Sequence, residues 1–200
     1  VLLKVLIGKR ENLKQKILIR ITPGIDPHTY EAVSTGIVDC KFGSAIVTGA
    51  AEDLLSLVLN CEHIECAGFH CHIGSQIFES EPFTTASELM LAFIAEVERD
   101  LSYKAEILNL GGGFGVRYLE EHPHISLTEK IEEIANILEK QCKALNIDIP
   151  KIAMEPGRSI VADAGMTLYT IGSVKEITGY KNYVSVDGGM TDNPRYTLYE

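Results

Sequence analysis

Four times along these 200 residues a short run of β-branched and apolar side chains ends in a turn of Gly, Pro or small polar residues, then gives way to a helical stretch. The runs are KILIRITPG at 16–24, IECAGFHCHIGS at 64–75, EILNLGGGFG at 106–115 and KIAMEPGR at 151–158. Between them apolar residues recur at spacings of three and four, which predicts amphipathic helices over 45–60, 83–100 and 127–145. In the last of these Leu127, Ile131, Ile134 and Leu138 are expected to share the buried face. Such alternation implies parallel strands joined by helical crossovers, an α/β class. Spacing alone leaves two architectures, a doubly wound sheet and a (β/α)8 barrel, and both place their sites at the strands' C-terminal ends. Those ends here read TPG, HIGSQ, GGGFG and EPGR, the small and polar residues of a site-forming edge. Three or four such units make about half a barrel. From Gly165 the pattern changes, and GMTLYTIGSVKEITG and KNYVSVDGGM read as hairpin strands of an antiparallel element. The division expected is therefore 1–164 and 165–200.

Composition closes off several function classes. A net charge of −10 and a pI near 5.1 leave no basic stripe to neutralise phosphates, so nucleic acid is not an expected partner. No apolar run approaches the ~20 residues of a membrane span, and VLLKVLIGKR lacks the flanks and cleavage site of a signal peptide. Five Cys at irregular spacing read as free thiols in a reducing, cytoplasmic setting. The start at Val1 and the end in RYTLYE lead to the expectation that this is an internal piece of a longer protein.

The stretch CEHIECAGFHCHIGSQ, residues 61–76, is dense in Cys and His. Period-two geometry over 64–72 puts Cys66, Gly68, His70 and His72 on one side and the apolar Ala67, Phe69 and Cys71 on the other, toward the helices. A zinc site would draw on Cys66, His70 and His72 with His63 in reserve, but no second ligand pair at C-x-x-C or H-E-x-x-H spacing accompanies them, and no metal is expected. His70 fits a packed position as well as a ligand-facing one. His72, beside the small residues Gly74 and Ser75, is placed to lie against a flat ligand. The glycines Gly111, Gly112 and Gly113 let backbone N–H groups converge on an anion, or simply form a tight turn. EPGR adds a carboxylate, Glu155, at a strand end and a guanidinium, Arg158, three residues on. A buried Glu there needs a cationic or hydrogen-bonding partner, and a pyridinium nitrogen is one such partner.

Taken in order, KFG at 41–43, FHCHIGSQ at 69–76, NLGGGFG at 109–115, MEPGR at 154–158 and VDGGMTDNPRYTLY at 186–199 closely resemble the fold-type III pyridoxal-phosphate decarboxylases. That group also holds the ornithine and arginine decarboxylases and barrels like that of alanine racemase. The resemblance runs from RITPGIDPHT onward and implies the later part of a pyridoxal 5′-phosphate-binding (β/α)8 barrel in 1–164, followed by the start of a β-sandwich or β-barrel domain in 165–200. It implies that His72, the catalytic histidine, stacks on the cofactor ring, and that Ser75, Gly111, Gly112 and Gly113 contact its phosphate. It implies that Glu155 pairs with the pyridine nitrogen, that Arg158 binds phosphate, substrate carboxylate or both, and that Arg195 and Tyr199 of NPRYTLY form a substrate-carboxylate clamp. The resemblance implies meso-diaminopimelate as substrate, decarboxylated to L-lysine, and a clamp of that kind suits its distal carboxylate. The alternatives are another basic substrate, namely ornithine, arginine or carboxynorspermidine, and a non-catalytic relative. The resemblance also implies a homodimer for the full-length protein.

Two motifs of that family have no counterpart in these residues. The lysine that holds the cofactor covalently lies in a motif like YAxKAN, which is absent, and Lys41 belongs to the separate KFG motif. The β-domain cysteine motif is absent as well, and Cys40, Cys61, Cys66, Cys71 and Cys142 read as small neutral or buried residues. These residues alone are therefore expected to be inactive.

Overall fold

The computed structural model describes residues 13–26 and 35–194. They fall into two compact units, divided between Ala162 and Asp163. The first carries strands β1 (Gln15–Thr22), β2 (Ser44–Ala45), β3 (Ile64–His70), β4 (Ile107–Asn109) and β5 (Lys151–Ala153), with helices α1 (Ala50–Leu59), α2 (Glu81–Leu101), α3 (Leu127–Leu145) and the single turn α4 (Arg158–Val161). The strands form one sheet in the order β2-β1-β3-β4-β5, and every pairing is parallel. Helix α1 leads from β2 to β3 past the intervening β1, whereas α2 and α3 are the crossovers β3 to β4 and β4 to β5 between strands adjacent in the sheet.

Register explains the two faces. Ile19, Phe69, Leu108 and Ile152 lie side by side across the sheet, and the first three are buried. They join one apolar cluster with Ala51, Leu55 and Val58 of α1, Met90, Phe93, Ile94 and Val97 of α2, and Ile134, Leu138 and Cys142 of α3. Phe69 sits edge-on to Phe93 at 5.1 Å and to Tyr103 at 5.7 Å, the offset that ring quadrupoles favour. One residue along, Arg20, His70, Asn109 and Ala153 form the matching layer on the opposite face. One apolar, helix-covered face and one polar face describe an arc of a barrel wall better than a doubly wound sheet, which is apolar on both.

Two sequence expectations are corrected by local geometry. Between Ile17 and Leu18 the β1–β3 register slips, so that Cys66 pairs with Ile17 and Gly68 with Leu18, leaving Ala67 as an extra residue. This bulge breaks the period of two, and Cys66 turns toward the helix side, where the Tyr103 hydroxyl lies 3.2 Å from its Sγ and donates to its carbonyl. Cys66 therefore does not share a face with His70. In α3 the buried stripe runs through Lys130, Ile134, Leu138 and Cys142, and Ile131 is 44% exposed. The stripe advances by four residues per step, which leaves Ile131 about 100° away from Lys130. Lys130 keeps its ammonium satisfied by donating to the Ser80 hydroxyl at 3.1 Å.

Helix ends follow local chemistry. Ser126 caps α3 by accepting from the Glu129 amide, and Asn146 closes it in the left-handed conformation. Pro82 lies in the first turn of α2. α1 starts at Ala50 rather than 45 because Ser44 and Ala45 pair with β1 and Gly49, at φ +76°, turns the chain.

The second unit contains β6 (Ile171–Glu176) and β7 (Asn182–Val186), paired antiparallel as the alternation from Gly165 suggested. Ser185 Oγ accepts from the Ser173 amide at 2.7 Å and Asp187 from the Thr170 amide at 2.8 Å, which fastens the open end of the ribbon.

Candidate functional site

The C-terminal ends of β3, β4 and β5 converge on the polar face of the first unit. Asn109, the last residue of β4 and 8% exposed, uses both ends of its amide: Oδ1 accepts from the Gly111 N–H at 2.9 Å, and Nδ2 donates to Glu155 Oε1 at 2.8 Å. The other oxygen of Glu155 lies 3.6 Å from His70 Nε2. Two neutral side chains thus aim one carboxylate, and the Glu155 N–H donates to the Gly111 carbonyl at 2.7 Å. The Glu155 side chain, just after β5, is 58% exposed on the polar face.

His72 sits beside it. Its Nδ1 accepts from the Gly112 N–H at 3.4 Å, so the neutral ring carries its proton on Nε2, and its carbonyl accepts from the Thr35 hydroxyl at 2.7 Å. Burial holds both His70 and His72 below the ordinary histidine range. The Arg20 guanidinium adds to this on both, and Glu155 opposes it. Cys71, between them but facing the core, has its thiol pushed up to about 12 by burial and is inert at neutral pH.

The glycine run is dictated by close backbone approach. A Cβ at Gly112 would run into the carbonyl oxygen of Glu155, and one at Gly113, where φ is +110°, into the carbonyl oxygen of Gly74. The loops after β3, β4 and β5 therefore touch along their backbones. Among the described residues the Ser75 hydroxyl and the Gly113 N–H have no hydrogen-bond partner, whereas the amides of Gly111 and Gly112 are engaged by Asn109 and His72.

Of the residues expected from sequence, His72, Gly111, Gly112 and Glu155 are thus in direct contact, and Ser75 and Gly113 adjoin them. Arg158, first residue of α4, lies 3.5 Å by its guanidinium from the Tyr118 hydroxyl and makes no hydrogen bond to the others. Arg195 and Tyr199 lie outside the described residues. KFG is fastened beside β1: the Thr22 hydroxyl donates to the Phe42 carbonyl at 2.6 Å, and the Arg20 guanidinium stands 4.6 Å over the Phe42 ring. Sequence reasoning missed Asn109 and Arg20 and left His70 open; a side-by-side register of the strands is the signal that groups them. Among the described residues no group of three or more His, Cys, Asp or Glu is placed to hold a metal ion, and no helix is long and apolar enough to cross a membrane.

The groups on this face suit pyridoxal phosphate chemically. An aimed carboxylate with exposed lone pairs matches a pyridinium nitrogen, a neutral imidazole matches the face of a flat ring, and an unpartnered hydroxyl and amide match a phosphate.

Comparison with known proteins agrees. Residues 3–162 match the pyridoxal binding domain of the pyridoxal-dependent decarboxylases. The chain is 47% identical over 193 residues to the diaminopimelate decarboxylase of Bacillus methanolicus, covering 96% of this chain and 45% of that protein. It is 46% identical over 184 residues to that of Bacillus subtilis, covering 92% and 42%. The chain thus spans less than half the length of these relatives. Diaminopimelate decarboxylase from M. jannaschii, solved in complex with L-lysine, superimposes with a TM-score of 0.82 at 31% identity, over 99% of this chain and 45% of that one. The Helicobacter pylori enzyme, also complexed with L-lysine, gives 0.79 at 32% identity over 97% and 46%.

Proposed function

The chain belongs to the pyridoxal-dependent decarboxylases, and from that premise we propose that the polypeptide carrying it decarboxylates meso-diaminopimelate to L-lysine and carbon dioxide. The observation that carries this reading is Glu155, aimed by Asn109 and His70 on the same face as a neutral His72. The relatives named for this activity, and two of them solved with L-lysine bound, supply the substrate.

Bound on this face, pyridoxal 5′-phosphate supplies an electron sink for the pair left when the bond from Cα to the carboxylate breaks. The protein's part is to orient and to hold charge. Glu155 keeps a proton on the ring nitrogen through a charge-assisted hydrogen bond. Asn109 and His70 fix the direction of that carboxylate, which would otherwise swing freely in solvent. His72, tied through Nδ1 to Gly112, holds its imidazole plane ready to stack on the ring. Ser75 and Gly113 donate to the phosphate, and Gly111 and Gly112 shape the backbone path that brings those donors together. Arg158 serves phosphate or substrate carboxylate. Arg195 and Tyr199 hold the distal carboxylate, a task that suits a planar bidentate guanidinium.

The same reading makes residues 1–164 the later part of a (β/α)8 barrel and 165–200 the beginning of a β-domain. It makes the whole protein a cytoplasmic homodimer acting on a small amino-acid substrate, without nucleic acid or membrane. It is supported by the one-sided parallel sheet, the change to an antiparallel ribbon and the acidic composition. The test is a substrate panel on the full-length polypeptide supplied with pyridoxal phosphate. L-lysine and carbon dioxide from meso-diaminopimelate, with no product from ornithine, arginine or carboxynorspermidine, is the expected outcome. Turnover of one of the others instead would overturn the substrate, and no turnover of any would favour a non-catalytic relative.

A further inference from the structure

Gln76 stands at φ +61°, a left-handed conformation uncommon outside glycine, immediately after the HIGS turn. Its side-chain amide pairs with both backbone groups of one residue in the loop after β4: Oε1 accepts from the Val116 N–H at 2.9 Å, and Nε2 donates to the Val116 carbonyl at 3.1 Å. The next residue continues the tie. Ile77 donates from its N–H to the Gly113 carbonyl at 3.0 Å and accepts from the Gly115 N–H at 2.9 Å, an isolated parallel bridge to Phe114. Ile77 and Phe114 are buried, and Phe114 stacks on Phe83 of α2 at 4.4 Å. Gln76 and Ile77 together therefore fasten the loop that carries Ser75 to the loop that carries Gly112 and Gly113.

We infer that Gln76 is a positioning residue that sets the distance between the Ser75 hydroxyl and the Gly113 amide, and so tunes the site for a phosphate group. This rests on the proposed function, which puts a phosphate between those two donors. The side chain is suited to the role because a carboxamide is donor and acceptor at once; a carboxylate in its place accepts from the Val116 N–H but repels the Val116 carbonyl. The left-handed backbone turns that amide across to the neighbouring loop, so conformation and clamp are separable by substitution. Gln76→Gly keeps the conformation available and removes the clamp, Gln76→Ala removes both, and Gln76→Glu keeps half of the clamp.

The experiment compares the affinity of the full-length polypeptide and these variants for pyridoxal phosphate and for pyridoxal, with a melting temperature for each. Gln76→Gly is expected to bind pyridoxal phosphate about tenfold more weakly, the size expected for two lost hydrogen bonds, and to bind pyridoxal within about twofold of the unaltered protein. Gln76→Glu is expected to fall between. If Gln76→Gly keeps the full preference for the phosphorylated ligand, or loses both ligands equally as its melting temperature drops, the positioning role is overturned while the proposed function stands. If the unaltered protein itself shows no preference for the phosphorylated ligand, the phosphate site falls and this inference with it.

Discussion

Asn109 shows how a single neutral side chain organises charge. It is buried where an unsatisfied amide would cost about 1–3 kcal/mol, and it is satisfied by the Gly111 amide on one side and the Glu155 carboxylate on the other. His70, in the same layer, and His72, two residues further on, are under the opposite constraint, since burial disfavours their charged forms. The pH dependence follows in sign. Both folded values lie below the ordinary ~6.5, so as pH falls through that value the unfolded chain takes up protons first, and stability present above it is lost. Arg20 deepens the effect and Glu155 moderates it. The urea midpoint is expected to fall between about pH 7.5 and about pH 5.5, and to fall less in a His70→Asn, His72→Asn double variant. An equal fall in both would exclude these two rings as the source. At this scale much was legible: strand alternation placed His70 and His72 away from Phe69 and Cys71. Cys66 was not, because the bulge at Ala67 arises from pairing with β1, which no window of β3 contains.

Among the elements, α3 offers the sharpest contrast. The apolar spacing located its two ends, and the structure shows what fixes them: Ser126 accepts from the Glu129 amide and Asn146 closes the helix in the left-handed conformation. The same spacing assigned Ile131 to the buried face, yet the stripe against α2 runs through Ile134 and Leu138, and a long lysine stem fills the position that Ile131 was expected to take. Period matching tolerates an error of one step where both neighbours are apolar enough. Ile134→Ala is expected to destabilise by about 2–5 kcal/mol, whereas Ile131→Ala should stay within about 0.5 kcal/mol; chemical denaturation of both reads the difference. Equal losses would mean that α3 packs through a face rotated from the one described.

For the molecule as a whole, the parallel order of the strands and the switch to an antiparallel ribbon follow from rhythms that survive in the sequence. The convergence of three loops does not, because it depends on how Gly112 and Gly113 let the backbones of residues 74 and 155 approach. Motif order compensated: HIGS, GGGFG and EPGR follow one another along the sequence, and the structure brings them to one edge. The central claim is that this edge holds pyridoxal phosphate with its ring nitrogen on Glu155. The most direct measurement is a crystal structure of the full-length polypeptide with pyridoxal phosphate bound. The account predicts the ring nitrogen within hydrogen-bonding distance of the Glu155 carboxylate, the His72 imidazole against the ring face and the phosphate on Ser75 and Gly113. Pyridoxal phosphate ordered elsewhere, with Glu155 still held only by Asn109 and His70, would contradict it.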